Sequence, residues 1–266
     1  MSVGFGERVV RYVKRNAASA LFQKRIAVRP TKPLISFTFD DYPRSALLCG
    51  GAILKRHHVS GTYYVALGLM GQDSPSGPIC VLDDLKRTLD DGHELGSHTY
   101  SHCHSWDTPP SEFEDSVVKN GSALSEMLPG TVFRSFSYPI CAPRPTIKKH
   151  TSRHFDCCRA EGQILNAGVA DLNQLSAFFL ERSRDNIAEV KKLIDKNAEE
   201  RGWIIFATHD IESRPSPYGC TPEFFAEVVR YGVESGAQIL PVIEALAVLQ
   251  RETAPGHAPV LKHARN

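Results

Sequence analysis

Two aspartates stand side by side at the end of an apolar segment of the chain. Asp40 and Asp41 directly follow Phe37, Thr38 and Phe39. One aspartate at such a place is commonly a turn or helix-cap residue. Two adjacent carboxylates repel each other unless a cation separates their roles, so that one ligates the cation and the other stays free as a base. The pair therefore indicates a metal-assisted hydrolytic site.

Two histidines provide further candidate ligands. His98 and His102 are four residues apart in the segment HTYSH and could reach one cation from a single helical turn. Two histidines and one carboxylate leave a coordination position open for water, as in a catalytic zinc site. The HxxxH spacing alone is a weak signal, and Thr99 stands where the metalloprotease motif HExxH needs a glutamate. The protease class is therefore disfavoured.

Further polar residues lie near the ends of other apolar segments. His209 ends the segment IIFATHD, and an ordinary histidine pKa of about 6.5 suits a general acid, although a structural cap is the alternative. Arg134 and Tyr138 are four residues apart, and strand alternation places both on one face with Phe136. An arginine on a buried face needs an acidic partner, and Asp40 would be one.

The elements that position these residues alternate between short apolar strands and helical segments. Leu34–Phe39 and the almost wholly apolar Trp203–Thr208 are predicted to be strands of a parallel sheet, and so are 132–138 and 154–158. Seven or eight such strands interleaved with helices indicate an α/β fold, either a parallel barrel or a large doubly wound sheet. In both, catalytic groups collect at the carboxyl ends of the strands.

Composition and charge restrict the class of protein. The 266 residues are 42% hydrophobic and 23% charged, which excludes disordered and collagen-like chains. A net charge of +1 argues against nucleic acid as the main partner. Residues 1–32, however, carry eight Lys and Arg residues against Glu7 alone, a local charge of +7. Val9, Val10, Val13 and Ala17 predict a helix there, which would dock on its own barrel or make peripheral contact with an anionic membrane.

The chain carries no pattern of a membrane span or an export signal. Its longest apolar runs are far shorter than the roughly 20 residues of a spanning helix. The 7 cysteines include no CxxC pair. We expect mostly free thiols and a cytoplasmic protein. The predicted organisation is a basic, helical N-terminal extension over 1–32, a barrel domain over 33–250 and a mobile tail over 251–266.

Four ordered motifs resemble one known family. TFDD (38–41), HTYSH (98–102), FRSFSYP (133–139) and THD (208–210) are similar in order and spacing to the motifs of NodB-type polysaccharide deacetylases, carbohydrate esterase family four. The resemblance implies a distorted (β/α) barrel of seven or eight mostly parallel strands. It also implies a divalent metal, most often Zn²⁺ with Co²⁺, Ni²⁺ or Mn²⁺ as alternatives, and a substrate that is an N-acetylated carbohydrate.

The resemblance also implies residue roles. Asp41, His98 and His102 would be metal ligands, and Asp40 would activate water. Arg134 would orient Asp40, the backbone N–H of Tyr138 would stabilise the oxyanion, and His209 would protonate the leaving amine. Within the barrel, these seven residues are the predicted site.

Two departures from the family pattern leave part of the site open. The arginine motif usually reads RxPY, whereas three residues separate Arg134 from Tyr138 here. The fourth family motif, an acidic residue followed by tryptophan, is absent, and FDCCRAEG (155–162) occupies its region. Asp156 or Arg159 could take over its polar function, or either could be an ordinary loop residue.

Three functions follow, in order of preference. The first is a metal-dependent hydrolase that removes N-acetyl groups from an amino-sugar oligomer or polymer. The second is an amidohydrolase on a small non-sugar amide, and the third is a non-catalytic saccharide-binding barrel. The sequence specifies neither the sugar and acetyl position nor the metal, the oligomeric state or the role of the basic segment.

Overall fold

Short strands, many of them apolar, and amphipathic helices alternate along the part of the chain that the structure describes. The computed structural model describes residues 18–140, 142–184 and 186–253. Its strands are β1 (Arg25–Val28), β2 (Leu34–Phe39), β3 (Thr62–Val65), β4 (Asp73–Ser74), β5 (Gly77–Pro78), β6 (Glu94–Ser97), β7 (Ser135–Ser137), β8 (Cys157–Glu161), β9 (Gly168–Asp171), β10 (Leu175–Phe179), β11 (Trp203–Thr208) and β12 (Gln238–Ile239). Its α-helices are α1 (Ala52–Arg56), α2 (Leu82–Asp90), α3 (Pro110–Met127), α4 (Pro145–Thr151), α5 (Ile187–Glu200), α6 (Pro222–Glu234) and α7 (Val242–Thr253).

Seven parallel strands close into a barrel. Their order around it is β2, β3, β6, β7, β8, β10 and β11, and β11 pairs again with β2 over six residues. The other edge of β2 is shared, because β12 pairs with its start and β3 with its end. This sharing distorts the barrel. The predicted distorted (β/α) barrel of seven or eight mostly parallel strands is therefore confirmed.

Strands β2 and β11 form the most buried part of the barrel. All six residues of each strand are buried, as expected of apolar segments that are covered on both faces. Phe37 stacks on Phe206 with 5.6 Å between ring centroids and meets the edge of Phe225 from α6. This packing fixes the ends of β2 and β11 next to each other, which places Asp40 and His209 on the same rim.

Two predicted strands have different bounds in the structure. The strand predicted over 132–138 is β7, only three residues long, and the strand predicted over 154–158 is β8, which begins at Cys157. Helix α4 and the turn after it take up the chain as far as Asp156. The later start of β8 brings Arg159 into the sheet opposite Ser137.

The N-terminal extension contributes a strand that packs on the barrel domain. β1 pairs antiparallel with β9, from Arg25 opposite Asp171 to Val28 opposite Gly168. The extension is thus extended rather than helical over these residues. The helix predicted around Val9–Ala17 and most of the predicted tail lie outside the described residues, while α7 continues to Thr253. None of the described helices is long and apolar enough to cross a membrane.

Candidate active site

The backbone after β2 sends the two adjacent aspartates in different directions. Asp41 and Tyr42 have φ values of 59° and 53°, in the left-handed region that non-glycine residues seldom occupy. Asp40, still in register with β11, donates its N–H to the carbonyl of Thr208 at 2.9 Å. The turn directs Asp40 towards β8 and Asp41 towards the histidines. The expected division of the two carboxylates is thus built into the backbone.

Asp41, His98 and His102 come together at the end of β6. Their candidate ligand atoms all lie within 4.8 Å of one another. The Nε2 atoms of His98 and His102 lie 3.4 and 3.1 Å from Asp41 Oδ1. His102 reaches this position from a loop with a φ of 52° rather than from the helical turn that the spacing suggested.

The donor set fits a divalent cation. His98 Nδ1 lies 2.8 Å from the carbonyl oxygen of Ser137 and must donate to it, so in the neutral ring Nε2 presents a lone pair towards the anionic Asp41. A lone pair that faces a carboxylate oxygen is unfavourable unless a cation lies between them. Nitrogen and oxygen ligands of this kind suit zinc and related ions.

The pKa values of this group reflect its mutual contacts. Burial by itself raises the pKa of the Asp41 carboxyl, but contacts with His102 and His98 outweigh burial and hold that pKa well below its ordinary value. Burial lowers the pKa of His102, but the neighbouring Asp41 carboxylate raises it by more. Asp41 is therefore ionised and ready to bind a cation at neutral pH.

Arg159, rather than Arg134, is the partner of Asp40. The guanidinium of Arg159 donates from Nη2 to Asp40 Oδ1, and both side chains are buried. The same guanidinium lies 4.6 Å from the ring centroid of Tyr64, a cation–π contact that stabilises a buried cation. Of the two replacements considered for the missing fourth motif, Arg159 is the one that reaches the site.

The predicted contact between Arg134 and Asp40 is wrong. Arg134 precedes β7, its side chain is 57% exposed, and it forms an ion pair with Asp156 at 2.7 Å. β7 begins only at Ser135, so the alternation that predicted a buried arginine does not extend to position 134.

Tyr138 lines the site, but its backbone N–H is already used. It donates to the carbonyl of Arg159 at 3.0 Å and so extends the ladder between β7 and β8. In this geometry it is not available as the predicted oxyanion donor. The ring of Tyr138 packs against Phe136 with 5.0 Å between centroids, on the common face that alternation predicted.

His209 is held by a loop that folds back over the end of β11. Its Nδ1 lies 3.2 Å from the carbonyl oxygen of Tyr218, which fixes Nδ1 as the protonated nitrogen of the neutral ring. The buried Asp210 shapes this loop by accepting hydrogen bonds from the N–H and hydroxyl of Ser216. His209 Nε2 is therefore left for the cavity that this histidine lines.

A cavity of about 430 Å³ joins these groups. Asp40, Asp41, His102, Tyr138 and His209 all contribute to its wall. A cavity of this volume falls in the range of small-molecule sites. Five of the seven predicted site residues therefore share one cavity, whereas His98, a candidate ligand, and Arg134 are not part of its wall.

The sequence reasoning missed two acidic residues of this wall. Glu161 ends β8 and pairs with Arg182 at 2.7 Å, and Glu181 follows β10. Both obey the rule that identified the other site residues, a polar side chain at the carboxyl end of a parallel strand. Glu161 was missed because the strand in this region was predicted to end at residue 158, whereas β8 continues to Glu161.

The chain is similar to known deacetylases. Residues 27–155 match the family model described as Polysaccharide deacetylase. The peptidoglycan-N-acetylglucosamine deacetylase PgdA of Listeria monocytogenes is 30% identical over 112 residues, which cover 42% of this chain and 22% of PgdA. The chain thus matches only about a fifth of the length of this curated relative.

Solved structures share the fold. A family 4 acetyl xylan esterase from Clostridium thermocellum in complex with a cobalt ion has a TM-score of 0.55 at 20% identity, covering 81% of this chain and 91% of that one. A CE4 family pseudoenzyme from Bacillus anthracis has a TM-score of 0.57 at 15% identity, covering 82% and 66%. With its four motifs, its match to the family model and its closed barrel, the chain is similar to the NodB-type polysaccharide deacetylases, carbohydrate esterase family four.

Proposed function

We propose that the chain is a metal-dependent N-deacetylase that acts on an amino-sugar oligomer or polymer. The observation that carries the proposal is the joint placement of a ligand triad, a separate buried carboxylate and a histidine around one cavity. The name of the relative PgdA, a peptidoglycan-N-acetylglucosamine deacetylase, supports an N-acetylated sugar as the substrate.

Asp41, His98 and His102 would hold the metal ion. When bound, a divalent ion supplies positive charge for the acetyl carbonyl oxygen and lowers the pKa of water, whether it is Zn²⁺, Co²⁺, Ni²⁺ or Mn²⁺. The cobalt ion in the acetyl xylan esterase structure supports a divalent metal in this fold. The carbonyl of Ser137 holds the His98 ring in its ligating orientation.

Asp40 is the proposed base and His209 the proposed acid. Arg159 fixes one oxygen of Asp40, which leaves the carboxylate to accept a proton from the attacking water. The nitrogen–acetyl bond then breaks, and a doubly protonated His209 donates its Nε2 proton to the leaving amine and returns to the neutral ring with Nδ1 protonated. The products are a free amino sugar and acetate. No covalent intermediate with the enzyme is needed.

The test is acetate release from N-acetylglucosamine oligomers in the presence of zinc or cobalt. We expect acetate and free amine in equal amounts. A panel of small non-sugar N-acetyl amides tests the second function, and turnover confined to that panel would overturn the sugar assignment.

A non-catalytic saccharide-binding role has two observations in its favour. A CE4 family pseudoenzyme shares the fold, and this chain lacks the fourth family motif. Calorimetric titration of the same oligomers separates the two functions. Binding without acetate release would favour the binding role, whereas release would exclude it.

A further inference from the structure

Glu181 is a carboxylic acid in the cavity wall that the proposed mechanism does not use. It belongs to the short 3₁₀ turn Leu180–Ser183 after β10, and the fully buried Leu180 anchors this turn in the core. Its side chain lines the cavity together with Asp40, Phe179 and His209. Glu181 Oε2 is buried and has no hydrogen-bond partner in the structure.

The arginines near Glu181 bind groups other than its carboxyl. Arg182 forms its ion pair with Glu161, also in the cavity wall, and its guanidinium lies 5.6 Å from the ring centroid of Phe179. Arg184 donates to the carbonyl oxygens of Ser216 and Pro217. The Arg159 guanidinium pairs with Asp40. Arg184 Nε also donates to the backbone carbonyl of Glu181 at 3.2 Å, but no hydrogen bond or ion pair links the Glu181 carboxyl to any of these three arginines.

Burial and charge keep Glu181 largely neutral near pH 7. Burial raises its pKa to about 8, and the negative charge of Asp40 contributes to the rise. A neutral carboxyl carries one O–H donor as well as acceptor oxygens. It can therefore bind a hydroxyl group, which both donates and accepts, without adding a second negative charge beside Asp40.

We propose that Glu181 is a substrate-binding residue whose carboxyl holds a hydroxyl group of the sugar. The inference rests on the proposed function and deepens it, since it selects a polyhydroxylated substrate over a simple amide. The aromatic rings of Phe179 and Tyr218 lie 6.4 and 5.4 Å from the ring of His209 between centroids, and both line the cavity, where they offer apolar surface for the C–H face of a sugar ring. The Glu181 carboxyl adds a polar group to these walls.

Binding is measured by calorimetry on zinc-loaded Asp40→Asn protein, so that the result does not depend on turnover. We expect Glu181→Ala in this background to bind N-acetylglucosamine oligomers about tenfold more weakly, the effect of one lost hydrogen bond. Glu181→Gln, which keeps a donor and an acceptor, should stay within about threefold. The control is Glu126→Ala on the exposed face of α3, which should bind as the parent does.

The kinetic readout uses the enzyme with Asp40 intact. Glu181→Ala should raise KM about tenfold with little change in kcat, and Glu181→Gln should restore KM. Loss of a carboxyl whose buried Oε2 has no hydrogen-bond partner should leave Tm unchanged or higher, which separates a binding role from a structural one.

The outcomes distinguish this inference from the proposed function. Unchanged affinity in Glu181→Ala, or a loss in Glu181→Gln as large as in Glu181→Ala, would overturn the role of Glu181 even if the enzyme is active. Oligomer binding that depends on Glu181 without any acetate release would uphold the role and overturn the deacetylase. Absence of both binding and release would overturn both.

Discussion

Asp40 and Asp41 contact different partners although they are neighbours in the chain. The left-handed backbone at Asp41 turns its carboxylate towards His98 and His102, while Asp40 remains in register with β11 and meets Arg159. Non-glycine residues in this region are found where surrounding structure holds them against their local preference. Two variants at the residue scale test this division.

Removal of the Asp41 carboxylate should abolish metal binding. The triad would lose its only anionic ligand, and we expect the zinc affinity of Asp41→Ala to fall by more than about 100-fold, since even outer contacts to a metal site are worth 10 to 100-fold. Metal content after dialysis, measured by mass spectrometry, checks this. The control is Asp83→Ala, because the Asp83 side chain is 89% exposed on α2. Wild-type metal content in Asp41→Ala would contradict the ligand assignment.

Two arginines test which cation positions the base. Arg159→Lys keeps the charge but loses the planar fork, and we expect acetate release to fall by about 100-fold because the base is misplaced. Arg134→Met removes an arginine that is 57% exposed and should change neither activity nor, beyond about 0.5 kcal/mol, stability.

Circular dichroism shows whether both variants fold. Comparable losses of activity in the two folded variants, or a loss confined to Arg134→Met, would show that Arg134 positions Asp40, as the family pattern implies.

At the scale of elements, the buried Lys148 of α4 connects the N-terminal extension to the barrel. Its ammonium group lies 2.5 Å from Asp171 Oδ2 and donates to the carbonyl of Ala18 at 2.7 Å. The Lys148 side chain is fully buried. Asp171 in turn accepts from the backbone N–H of Lys24 at 2.9 Å. The Lys148–Asp171 ion pair thus links α4 to β9, and Asp171 also binds the residue that precedes β1.

Lys148→Met should leave the Asp171 carboxylate without its cation. We expect the free energy of unfolding to fall by about 3 to 5 kcal/mol, the usual cost of breaking a buried ion pair from one side. Urea denaturation measures the loss, and hydrogen exchange should accelerate over residues 24–28.

The double variant Lys148→Met, Asp171→Asn should recover part of the loss, because the unpaired charge is gone. Lys86→Met, at an exposed pair on α2, is the control. Equal stability of Lys148→Met and Lys86→Met would contradict the role of this ion pair.

His93, next to the start of β6, should make the stability of the fold depend on pH. Its Nδ1 accepts the N–H of Gly61 at 3.0 Å, and burial lowers its pKa to about 4. The unfolded chain binds this proton with a pKa near 6.5, so the unfolded state holds more protons between those values. Stability should therefore fall by about 3 kcal/mol as pH drops from about 6.5 to about 4.

His93→Asn keeps a short acceptor and should lose this part of the acid dependence. Urea denaturation at pH 7 and at pH 4.5 measures the difference, with the exposed His58→Asn as the control. An unchanged acid dependence in His93→Asn would show that other groups cause it.

At the scale of the whole molecule, the sequence predicted the barrel and most of the site for one physical reason. The carboxyl ends of parallel strands meet on one rim, so Asp40, Asp41, His98 and His209 could be placed together from strand patterns alone. The prediction of site residues fails where the predicted bounds of a strand are wrong. A shift of three residues at β8 left Arg159 as one of two alternatives rather than the predicted partner of Asp40, and the short β7 left Arg134 on the surface.

The sequence showed that the N-terminal extension is strongly basic, but it did not show which structure the extension forms. The basic extension was predicted to be helical, whereas its residues 25–28 form a strand that completes an antiparallel pair with β9. Pairing with an open edge depends on a partner almost 150 residues away in the chain, which local periodicity does not reveal.

Acetate release by metal-loaded wild-type protein and by Asp40→Asn, with metal content measured on the same samples, tests the central claim most directly. We predict that wild-type protein releases acetate from N-acetylglucosamine oligomers, and that Asp40→Asn keeps its metal but is slower by about 10² to 10⁴-fold, the usual contribution of a general base. An Asp40→Asn protein that is as active as wild type, or wild-type protein that holds its metal and releases no acetate, would contradict the account.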